Sequence, residues 1–138
     1  MNKTTFYRMF LILFVGSMLV ACASASPLTG TTWHLTSYGS ASNPTPAVPD
    51  VETSLTFDDA GKVSGNVGCN SFGGEYEIRG EKITFNTLTS TLMACEEPRM
   101  QQETAVFNLL TGTLDFKVSG NALTISSADG SSALVLNK

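Results

Sequence analysis

Three cysteines and one histidine are the residues of this 138-residue chain with the strongest intrinsic chemistry, and their positions sort them into different tasks. Cys22 closes the run Leu19-Val20-Ala21-Cys22. Lys3 and Arg8 precede it in a basic segment, and Met9 to Val20 form an uncharged, mostly apolar stretch too short for a stable membrane span. Small residues just before a cysteine suit the lipoprotein signal peptidase, and the thiol then carries a diacylglycerol. The expectation is a signal peptide over residues 1–21 and membrane attachment through lipid on Cys22, where about three fatty chains hold essentially permanently. The competing reading is an ordinary secretory signal cleaved nearby. Ala23, rather than aspartate, follows the cysteine, the pattern exported to an outer membrane, facing the periplasm.

Cys69 and Cys95 are then an even pair in an oxidising compartment, expected as one disulfide closing a loop of about 27 residues. A reactive thiol or a metal site is the alternative. Two cysteines and one histidine offer too few soft ligands for zinc unless carboxylates complete the set, so neither metal nor cofactor is expected. His34 could serve Cys95 as a base only if that thiol were free. Glu96 and Glu97 read as charges at a helix N-terminus, and Glu75 and Glu77 as the solvated face of a strand. No G-x-S-x-G, H-E-x-x-H or phosphate-binding loop occurs, and no enzymatic activity is expected.

Lys3 and Arg8 are the basic residues of the leader, so of 8 Lys and Arg six remain beyond it, against 12 Asp and Glu. The acidic residues are scattered and there is no basic patch, which argues against nucleic acid or an anionic membrane surface as partner. The 117 residues after the leader suffice for one domain: a tether over 22–30, then a folded unit over 31–138.

Positioning these residues falls to short alternating segments. Thr31–Tyr38 reads as a strand with Trp33 and Leu35 on one face, and Gly39–Asp50, with three prolines, as an exposed loop. Ser54–Phe57 with Lys62–Val67, and Gly74–Arg79 with Lys82–Phe85, read as hairpins. Gly68–Gly74 is a glycine-rich connection whose Gly68, Gly73 and Gly74 allow tight turns, and whose Asn70 adopts left-handed geometry or bonds its own loop. Thr89–Met93 is extended. Glu96-Glu97-Pro98 opens a helix that Gly112 ends, with Val106, Leu109 and Leu110 as its packing stripe. Leu114–Val118, Ala122–Ile125 and Ala133–Leu136 finish an antiparallel sheet that must curl or close to hide its edges.

The order Gly68-Cys69-Asn70-Ser71-Phe72-Gly73-Gly74-Glu75-Tyr76 resembles the signature of the META-domain family, which includes heat-shock proteins of the HslJ type. Leu28-Thr29-Gly30-Thr31-Thr32-Trp33 is similar to its opening, and Thr89-Ser90-Thr91-Leu92-Met93-Ala94-Cys95 to a second element. Glu103, Phe107 and Leu110 resemble its helix, and Leu123-Thr124-Ile125 and Leu134-Val135-Leu136 its ending. The resemblance spans Leu28 to Leu136 and implies an α+β, mainly β fold: a curled antiparallel sheet or small β-barrel-like domain with one packed helix. It gives Trp33, Gly68, Cys69, Asn70, Phe72, Gly74, Tyr76, Met93, Cys95, Glu103, Phe107 and Leu110 a structural role. It associates the chain with heat shock and stress tolerance, and with no particular reaction or ligand.

These readings converge on a non-enzymatic, lipid-anchored cell-envelope protein supporting stress tolerance by binding another envelope protein. The alternative is a small secreted inhibitor or ligand-binding module, acting on a hydrolase such as a lysozyme or protease through the loop 39–50.

Overall fold

Strict apolar–polar alternation in strands that bury one face requires a sheet wrapped around that face. The computed structural model describes residues 26–138 and shows this wrapping. The strands are β1 (Thr32–Ser40), β2 (Thr45–Pro46), β3 (Ser54–Phe57), β4 (Lys62–Asn66), β5 (Ser71–Arg79), β6 (Lys82–Ser90), β7 (Gly112–Ser119), β8 (Ala122–Ser126) and β9 (Ser132–Asn137). Among the described residues one helix, α1 (Glu97–Leu109), lies between β6 and β7. Each strand from β3 onward pairs antiparallel with the next, β1 pairs with β3, and β9 returns to β1 from His34↔Asn137 to Ser40↔Ser132. The result is an eight-stranded antiparallel barrel, with β2 added alongside β1.

The interior is lined by alternate residues such as Trp33 and Leu35 on β1, Leu55 and Phe57 on β3, and Leu123 and Ile125 on β8. Each large apolar side chain fully buried this way contributes about 1.5–3 kcal/mol. Register places the two ends of the barrel. One end holds the start of β1, the end of β3 and the β4 entrance, through Thr32↔Thr56 and Phe57↔Val63. Leu28 plugs it: the side chain is fully buried, its carbonyl accepts Trp33 Nε1–H at 3.1 Å, and Thr29 bridges Phe57. Residues 26–30 of the expected tether are thus part of the folded unit, because one buried leucine outweighs a polar, turn-prone neighbourhood.

The opposite end is closed by α1. Pro98 sits in its first turn, where a missing N–H costs nothing, and Glu97 complements the helix dipole. Leu110 caps its C-terminus, donating its N–H to Val106 O at 2.9 Å, and Gly112, at φ 70°, starts β7. The expected stripe packs on the barrel, with Val106 and Leu110 buried and Leu109 half-buried against the core, and the helix buries Gln102 and Glu103 beside it.

Two further expectations are refined. The segment 39–50 is largely exposed, as expected, but carries a two-residue strand: Thr45 and Pro46 pair with Tyr38 and Ser37, and Ala47 N–H donates to Thr36 O at 2.9 Å. Proline is tolerated there because β2 is an edge. Ser71–Gly74, expected in a connection, belongs to β5, since β4 and β6 flank it on both sides.

Candidate functional site

Of the chemistry-bearing residues, Cys69 and Cys95 meet at the helix-capped end. Cys69, at the β4–β5 connection, is disulfide-bonded to Cys95 just before α1, with Cα atoms 5.9 Å apart. Beside the bridge, the Glu103 carboxylate reaches down from the helix. Its Oε2 accepts the Cys69 N–H at 2.8 Å and the Asn70 N–H at 2.5 Å, and its Oε1 accepts Asn70 Nδ2–H at 2.7 Å. Asn70 Oδ1 in turn accepts the Met93 N–H at 2.7 Å and the Thr91 hydroxyl at 2.8 Å. Both polar side chains are buried, and every donor aimed at them is satisfied, as a low-dielectric interior demands.

Gln102 repeats the device one residue earlier. Its Nε2–H donates to Val67 O at 2.7 Å and its Oε1 accepts the Val48 N–H at 2.7 Å, which ties segment 39–50 and the end of β4 to the helix. A helix residue at this position reads from sequence as solvated. The signal that could have revealed it is spacing: Gln102 stands four and eight residues before Val106 and Leu110 of the expected stripe, and residues four apart share a helix face.

Gly68 is required by proximity, not by backbone twist. A Cβ there would stand 2.6 Å from the Arg99 carbonyl oxygen and 2.9 Å from Glu103 Cβ. The same correction applies at Gly74, where a Cβ would meet Leu88 Cδ2 at 2.6 Å. Gly73 stands free of such crowding, a Cβ there meeting Val63 O at 3.6 Å. Asn70 is not left-handed and bonds the helix and the segment after β6 rather than its own loop.

The other motif residues divide by place. Phe72 and Phe107 meet edge-to-face with centroids 5.3 Å apart, and Leu110 is buried near them. Trp33 is buried at the far end. Tyr76 is buried against Phe57 and donates its hydroxyl to Asp58 O at 2.7 Å. Burial, then the negative charges of Asp58 and Asp59, push the Tyr76 phenol above its ordinary range. Met93 is held by its backbone while its side chain is exposed. His34 is not brought to Cys95: its Nδ1 bonds Thr53 O. On the surface, Lys62 pairs with Glu75 at 2.5 Å and holds that carboxyl below its usual range. Cys22, the lipidation candidate, and the 1–21 leader lie outside the described residues.

Comparison with known proteins agrees with this geometry. An NMR structure of a protein from Burkholderia xenovorans is 29% identical, with a TM-score of 0.65 over 80% of this chain and 82% of that one. A crystal structure of a DUF4847 family protein from Bacteroides vulgatus shares the fold at 14% identity, with a TM-score of 0.63 over 80% and 94%. No curated protein matches. Residues 26–138, the whole of the described barrel with its helix and the Cys69–Asn70–Glu103 clamp, match the META domain, and the chain belongs to the META domain family.

Proposed function

We propose that this is a lipid-anchored envelope protein that supports stress tolerance by binding another envelope component rather than by catalysis. One observation carries the reading: the groups with reactive potential in the described domain are engaged in holding it together. Cys69 and Cys95 are joined, and Glu103 and Asn70 are fully hydrogen-bonded to each other and to backbone. A domain so braced is suited to presenting a fixed surface. The leader and the Leu-Val-Ala-Cys run support lipid attachment at Cys22 and an outer-membrane, periplasm-facing location. An inhibitor acting through segment 39–50 is less favoured, because Ala47 and Val48 are tied to β1 and α1.

The test is the intact mass of the protein from its native envelope, before and after reduction with thiol labelling. The expected result is a chain starting at acylated Cys22, with Cys69 and Cys95 labelled only after reduction. An unacylated chain removes the anchor from the reading, and labelling before reduction removes the bracing.

A further inference from the structure

The barrel wall is incomplete along β6. β7 pairs with β6 only from Lys82 to Phe85, so Asn86–Ser90 has β5 on one side and no strand on the other. β7 begins only at Gly112, opposite Phe85, and beyond that point the β5–β6 ladder carries a bulge between Gly73 and Glu75. Opposite it, Thr87 is held at φ 43°, a strained value for a β-branched residue, and bulges of this kind bend a strand and end its pairing. Gly74 makes the bend possible, since a Cβ there would collide with Leu88 and with the Thr87 carbonyl oxygen. Thr91 N–H donates to Ser71 O at 3.0 Å, so by ladder alternation the Ser90 N–H and C=O point away from β5, into the gap.

The gap is a groove of about 330 Å³ between β6 and the end of α1, formed by Phe72, Phe85, Leu88, Ser90, Phe107 and Leu110 among others. None of its lining residues is charged, in a chain of net charge −4. Just past it stand Leu92, 97% exposed, and Met93, 54% exposed, the exposed large apolar side chains among the described residues.

We propose that this edge docks one extended, uncharged segment of a partner protein, which adds to β6 as a strand and seats its apolar side chains in the groove. The open backbone selects a strand, because extended chain can pair with both the N–H and the C=O of Ser90 that point into the gap. The uncharged lining selects uncharged side chains, because it offers no partner to a buried charge. Leu28, near the first of the described residues, lies at the opposite end of the barrel from this edge. The inference rests on the binding role proposed above and supplies the chemistry of the partner.

Amide hydrogen exchange on the full-length protein in detergent tests it, with an excess of a capped peptide alternating valine and threonine. Amides of residues 86–90 should exchange about tenfold more slowly with peptide, and a copy N-methylated on alternate residues should give no slowing. Ser90→Pro removes an outward N–H and no bond to β5. It should weaken binding about tenfold with the thermal midpoint unchanged. Leu92→Ser with Met93→Ser, at exposed positions that cannot unfold the barrel, should weaken binding about threefold. Absence of slowing at 86–90, or equal binding of the methylated copy, overturns the proposal. So does slowing that grows with protein concentration alone, which would seat a second copy of the chain on the edge. Peptide binding in detergent does not require acylation, so its failure is separable from failure of the anchor, which the intact mass reports.

Discussion

The two ends of the barrel are closed by opposite means. At one, Leu28 and Trp33 fill the opening with apolar side chains and a single indole hydrogen bond. At the other, α1 closes it with Gln102 and Glu103, polar side chains as buried as the core and bonded to backbone of the β4–β5 connection and of segment 39–50. An apolar plug needs only volume, whereas a polar clamp specifies partners atom by atom. The clamp fixes one arrangement of the β4–β5 connection, the segment after β6 and the helix, and mismatch there is costly.

That contrast can be broken at several points. The largest expected effect is loss of the covalent part of the clamped end. Cys69→Ser with Cys95→Ser should lower unfolding stability by roughly 3–4 kcal/mol in urea titration, the loop-entropy value for about 27 residues. A loss under about 1 kcal/mol would mean that the Glu103 clamp alone orders the loop. Next comes Glu103→Gln, which keeps the shape but turns one acceptor oxygen into a donor facing N–H groups. It should cost roughly 2–4 kcal/mol in the same titration. At the plugged end, Leu28→Met conserves volume and should cost less than about 1.5 kcal/mol. Equal costs for these two isosteric changes would erase the distinction between the ends.

The smallest effect is expected in the β8–β9 turn, away from both closures. Three hydrogen bonds, first from the Ser127 hydroxyl and then from the Ser131 N–H and hydroxyl, hold Asp129 down at about 2 against an ordinary 3.8. A carboxyl depressed by folding stabilises above its unfolded value, and that contribution disappears as pH falls from about 4 through about 2. Carboxyl-detected NMR titration should show this midpoint, and Ser127→Ala should raise it towards 3.8.

The same contrast separates what is legible in the sequence from what is not. Alternation in Trp33–Leu35, Leu55–Phe57 and Leu123–Ile125 exposes the barrel strands directly, because a period of two belongs to a half-buried strand and not to a helix. The helix is legible from Pro98 and its flanking glutamates, but its buried face is not. Gln102 and Glu103 look solvated until their partners on distant segments are known. Leu28 is hidden for the converse reason, as a single apolar residue in a polar run carries no period. Ser71–Gly74 reads as a turn because glycine signals flexibility locally, while here Gly74 answers to a side chain and a backbone on the neighbouring strand. The disulfide pairing is readable once Cys22 is read as the lipid site, whereas the Asn70–Glu103–Met93 geometry it frames is not.

Closure of the barrel between β1 and β9 also carries a consequence for how the chain is born. His34 finds its partner in Asn137, so the seam joins the first long strand to the last. Such distant contacts make folding slow, because the intervening chain must be ordered before the seam is rewarded. A chain delivered from its N-terminus therefore holds β1 with one naked edge until its final residues have emerged. For that interval the protein is exposed to mispairing, and it depends on being kept apart from its own copies.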